Sequence, residues 1–147
     1  MLARKSHGQR QGATTVELAA VVIIFMMIMF GILEYCLIIY TTNIAENAAR
    51  EGARSAVVNA SDVTLVSDTQ TYVQTLMGGL DTKMSAYACN VYLADTNGNN
   101  IGSPVGANFG QYICVQVSLN YVPITPGLIY LNTITIQSKC SMISEAN

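Results

Sequence analysis

Between Leu18 and Leu33 the chain passes through sixteen residues without a charge, LAAVVIIFMMIMFGIL. As a helix rising about 1.5 Å per residue this stretch reaches only ~24 Å, short of a ~30 Å hydrocarbon core. Glu34 follows, and then Tyr35-Cys36-Leu37-Ile38-Ile39-Tyr40 resumes the apolar character. Leu18 to Tyr40 is therefore long enough to cross a bilayer. A cleavable secretory core is usually ~7–15 residues long and ends at a small-residue cut. This run exceeds that length, so it reads as a retained anchor and not as a signal cut near Ala45 or Ala49. What remains of the 147 residues can form about one small domain.

Charge sets the orientation. Arg4, Lys5 and Arg10 precede the span and favour a cytoplasmic N-terminus, with the rest of the chain outside. Arg50 and Arg54 lie beyond the span and pull the other way, interleaved with Glu46 and Glu51. A net charge of -2 and the lack of a basic stripe give no reason to expect nucleic acid. The only histidine is His7 in the leader, and Cys36, Cys89, Cys114 and Cys140 have no metal-ligand spacing, so neither a metal nor a cofactor is expected. In an exported domain Cys89, Cys114 and Cys140 are candidates for one disulfide, with the pairing open.

The chain divides into a basic leader at 1–12, a long helix at 13–58 with its span at about 18–40, and an exported domain at 59–147. No proline occurs before Pro104, so the helix continues past the bilayer through NIAENAAREGARSAVV and stops near Asn59-Ala60-Ser61-Asp62. A second helix is expected over Ser67–Met77, capped by Ser67 or Asp68 and ended by Gly78-Gly79, with Tyr72, Val73, Leu76 and Met77 apolar at helical spacing. The remainder alternates as strands do: Tyr87, Cys89, Val91 and Leu93, then Ile113, Val115, Val117, Leu119 and Tyr121, then Leu131 to Cys140. Asp95–Gly110, rich in Asn and Gly, reads as loop, and Pro123–Gly127 as a turn. Matching the apolar rows of the last two strands sets Ile113 opposite Cys140 and leaves Cys114 on the other face. The fold class is α+β: one long transmembrane helix, a short helix and an antiparallel three- to four-stranded sheet.

Three features of the helix carry chemistry. Gly12 is followed five residues later by Glu17, between a basic leader and the apolar run. In prepilin-like proteins a glycine precedes the scissile bond and a glutamate lies fifth after it, so the resemblance implies a cut between Gly12 and Ala13. The freed Ala13 amine and Glu17 of a neighbouring subunit would attract strongly in a low-dielectric bundle. Glu34 lies seventeen residues beyond Glu17, about 26 Å along, near the opposite membrane face. At ~100° per residue Gly31, Glu34, Ile38, Thr41, Ala45, Ala48, Gly52 and Ala56 share one stripe. Asn43, Asn47, Arg50 and Arg54 fall opposite. Small residues permit close helix approach and intramembrane acids usually pair, so the stripe with Glu34 is expected to face a partner helix.

GATTVE, FGILEY and NAAREGARSAV, in that order, resemble the TadE-like family of minor pseudopilins of the tight-adherence (Flp) pilus. The resemblance covers about Gly12 to Val57. It implies a single-span, non-enzymatic protein processed by a prepilin peptidase and acting in pilus assembly, initiation or capping. Gly12, Ala13 and Glu17 would then be processing residues, and Tyr35, Arg50, Glu51 and Arg54 part of the family signature. Implied partners are other pilins or pseudopilins, the assembly machinery, the peptidase and membrane lipid. The implied location is the inner membrane, with the domain extracytoplasmic or carried into the pilus. A minor pilin of a type II secretion or type IV pilus system, and a membrane-anchored binding or sensor domain, are the alternatives. No catalytic constellation competes.

Overall fold

One helix, α1 (Gly8–Val58), serves both parts of the molecule. The computed structural model describes residues 8–124 and 132–144. α1 begins at Gly8 and not at Ala13, so 8–12 is helical where an unstructured leader was expected; Gln9–Gly12 contains no proline to stop a helix. It ends where expected, in a turn at Asn59–Ser61, with the Asn59 side-chain amide donating to the Ser55 carbonyl (3.1 Å).

Two short helices follow, α2 (Leu65–Leu76) and α3 (Leu80–Lys83). α2 starts two residues before the expected Ser67, and α3 was not foreseen. Gly78 and Gly79 end α2 with φ of 59° and 87°, a left-handed geometry that costs glycine little. The buried face of α2 is Leu65, Thr69 and Val73, continued by Met77, while Tyr72 and Leu76 are exposed. Of Tyr72, Val73, Leu76 and Met77, spaced as one apolar face, Val73 and Met77 are covered and the other two are not, because α2 must meet both α1 and the sheet.

The sheet comprises β1 (Ser85–Ala94), β2 (Asn100–Gly102), β3 (Tyr112–Tyr121) and β4 (Ile134–Ile143), all antiparallel in the order β2-β1-β3-β4. β2 is a three-residue edge inside the expected Asn/Gly loop. Beyond it the edge of β1 is covered by α2, whose Gln70 side-chain amide donates to the Cys89 carbonyl (2.8 Å). The expected turn at Pro123–Gly127 falls mostly outside the described residues.

Alternation decides the two faces. Ile113, Val115, Val117, Leu119 and Tyr121 of β3 point inward and are buried, joined by Cys89 and Val91 of β1 and Ile136 of β4. α1 lies across this face with Ala45, Ala48, Ala49, Ala53, Ala56 and Val57, and α2 closes the side with Leu65 and Val73. A small second cluster, Tyr92, Ala94 and Cys114 with Tyr112, forms on the outer face. The alanine face lets the α1 backbone approach the sheet closely, which is how four strands and two helices seal one core.

Candidate functional site

α1 from Val16 to Leu33 exposes nearly every large apolar side chain, including Ile23, Phe25 and Ile28, and is the one candidate membrane-spanning helix among the described residues. From Glu34 onward the character changes. Glu34 is buried and its Oε2 accepts a hydrogen bond from the Tyr121 hydroxyl at the end of β3, 87 residues away. Burial and the Glu34 carboxyl push the Tyr121 phenol up to about 12, so at neutral pH it keeps the proton it donates.

The other stripe residues share this environment. Thr41, Ala45, Ala48, Gly52 and Ala56 are buried against the chain's own sheet and α2. Thr41 tolerates burial because its hydroxyl donates to the Leu37 carbonyl (2.8 Å). Asn43, Asn47, Arg50 and Arg54 lie on the exposed side, as the projection required. The expectation that Glu34 and the stripe face another subunit's helix is therefore corrected: this face is taken by the β3–β4 half of the chain's own sheet. Gly31 lies above that contact, with nothing within 4 Å of where a Cβ would sit.

Gly52 marks the tightest point. A Cβ there would overlap the Val73 side chain of α2 and come within 3.3 Å of Val115 Cγ1 on β3. α1, α2 and β3 thus converge on one position that has no room for a side chain. Tyr121, Val73 and Val115 escaped the sequence reading as parts of this site. The period-two row from Ile113 to Tyr121 marked Val115 and Tyr121 as sharing one face, and helical spacing marked Val73, but neither period showed that they meet α1.

Arg50, Glu51 and Arg54 stand outside this packing and are exposed. Arg50 reaches Glu46 at 3.5 Å, a solvated i,i+4 pair worth about 0.3–0.5 kcal/mol. Arg54 borders an open groove with Val57, Val58, Met142 and Ile143. Tyr35 is exposed on α1, as is Glu17. Gly12 and Ala13 lie on the first turns of α1.

No disulfide joins Cys89, Cys114 or Cys140 in this structure: all four cysteines are free. Val115, not Ile113, stands opposite Cys140; the two-residue slip keeps every side chain on its face. Cys89 pairs across from Val117 on the other flank of β3, so two strand spacings, about 9–10 Å, separate it from Cys140. Cys114 faces away from both. Burial pushes the Cys89 thiol up to about 11, leaving it an inert core group. Among the described residues no group of three or more His, Cys, Asp or Glu is placed to hold a metal ion.

The TadE-like protein family matches residues 12–54. Over that segment, less than a third of its length, the chain is similar to the TadE-like family. The match begins at Gly12 and ends two residues past Gly52, so it spans the anchor, Glu34 and most of the alanine face, and stops before the sheet on which that face rests. No curated protein and no solved structure matches the chain. A TadE-like segment on a single candidate spanning helix supports a component associated with the tight-adherence (Flp) pilus.

Proposed function

We propose that this chain is a structural component of a Flp-type pilus, a minor pseudopilin that acts in assembly, initiation or capping and has no catalytic role. The observation that carries the reading is the TadE-like match, which starts at the glycine of the Gly12–Glu17 motif and runs through the anchor. In this reading a prepilin peptidase cuts between Gly12 and Ala13 on the cytoplasmic side of the inner membrane. The retained helix holds the sheet domain outside. Glu17 then pairs with the Ala13 ammonium of a neighbouring subunit, where low dielectric strengthens the attraction.

The internal use of the alanine face moves the proposed partner surface. With Glu34, Thr41, Ala45, Ala48 and Gly52 occupied, what is left for another pilin or pseudopilin is the apolar half of α1, including Gly31, and the exposed charges Arg50, Glu51 and Arg54. Those charges do little for the domain itself, which supports reading them as contacts with the assembly.

The test is the intact mass of the chain expressed with its cognate peptidase. Loss of the first twelve residues is expected, and Gly12→Asp should abolish it. A chain that stays full length beside an active peptidase would sink the pseudopilin reading.

A further inference from the structure

We propose that the end of the sheet that follows Tyr121 is a second membrane contact, in which Val122 and Ile124 enter the outer leaflet beside α1. The inference rests on reading α1 as a membrane anchor, and adds to it a lipid-binding surface on the domain.

The depth of this surface follows from two contacts. Val115 of β3 lies beside Gly52, and Tyr121 of the same strand bonds Glu34. β3 therefore runs antiparallel to α1, toward the apolar half of the helix. If the hydrocarbon core begins at Leu18, about twenty residues at ~1.5 Å each carry it to about residue 37. Glu34 then lies about 4–5 Å inside the hydrocarbon boundary. Tyr35 and Tyr40, both exposed, mark the same level as aromatic residues of a membrane–water interface do.

The chain leaves β3 at that depth with Val122 53% and Ile124 73% exposed, while Pro123 between them is buried. Exposed apolar side chains at the interface level would be a liability in water but match the upper acyl region, where interfacial segments bury their apolar side by ~5–10 Å. The Tyr121–Glu34 bond keeps them there, because it ties the strand end to a fixed turn of the anchor. The domain is thus held against the bilayer at two points and cannot swing freely about the helix.

The chain contains no tryptophan, so a single introduced one reports its own surroundings. The full chain carrying Ile124→Trp is reconstituted in phosphatidylcholine–phosphatidylglycerol vesicles, with and without lipid brominated near the headgroup end of its acyl chains. Phe25→Trp serves as the reference inside the span, and Val63→Trp as one on the far end of the domain, 87% exposed. Ile124→Trp is expected to emit to the blue and to lose most of its emission to the brominated lipid, as Phe25→Trp does, while Val63→Trp keeps its emission. Adding Val122→Asp to Ile124→Trp should restore much of the signal. An unquenched Ile124→Trp beside a quenched Phe25→Trp overturns the second contact and leaves the anchor standing. If that residue shifts to the blue only when a pilin is added, the surface binds protein and the proposal is equally overturned. An unquenched Phe25→Trp removes the anchor reading and the proposal with it.

Discussion

The two halves of α1 share one unbroken backbone and differ in what their side chains require. From Val16 to Leu33 the helix is apolar all round and almost wholly exposed. From Glu34 to Val58 it is amphipathic, with a face of mostly small residues buried at 0–2% for Glu34, Thr41, Ala45, Ala48, Ala49, Ala53 and Ala56, and Arg50, Glu51 and Arg54 outside. A helix apolar all round must be covered by lipid or by other helices. An amphipathic one needs a single apolar surface, and here the chain provides its own sheet. The first half is thus the part available to membrane and neighbours, and the second is a structural seam.

The contrast is most exposed to failure in the core. Leu119→Ala removes a side chain 1% exposed and should cost about 2–5 kcal/mol in urea unfolding of the detergent-solubilised chain. Ile28→Ala, in the exposed half, should leave that transition within about 0.5 kcal/mol. Equal effects would mean that the two halves are not distinct. Gly52→Ala should cost about 1–3 kcal/mol by overpacking against Val73 and Val115, partly offset by the better helix propensity of alanine. A stabilised protein would show that α2 moves away freely. Tyr121→Phe should cost about 1–3 kcal/mol, since a buried oxygen of Glu34 loses a donor. A double-mutant cycle with Glu34→Gln should show coupling, and additive effects would argue against the bond. The smallest effect on stability is expected from Arg50→Ala, at most about 0.5 kcal/mol. The same variant should nonetheless reduce pilus formation; normal piliation would return Arg50 to a merely solvated role.

Much of this seam was legible because a helix repeats every 3.6 residues and a strand every two. Those periods placed Thr41, Ala45, Ala48 and Gly52 on one side of α1, Arg50 and Arg54 on the other, and Ile113 through Tyr121 on one face of β3. Register was less legible: apolar matching put Ile113 opposite Cys140 where Val115 stands, because a slip by two leaves the faces unchanged. In α2 the apolar spacing marked Val73 and Met77, which are buried, together with Tyr72 and Leu76, which are as apolar yet stay exposed at the rim of the contact with α1.

By itself the sequence determined the long apolar segment, its length, the Gly12–Glu17 spacing and which residues share each face, all of which are set within a few turns of chain. Only the tertiary structure decided what covers those faces. Glu34 meets Tyr121 across 87 positions, Gly52 meets Val73 and Val115 on two other elements, and Cys89 and Cys140 are held apart by the strand between them. Periodicity specifies the direction in which a side chain points, whereas its partner depends on how distant segments pack, and here that packing turned a presumed subunit interface into the inside of a single chain.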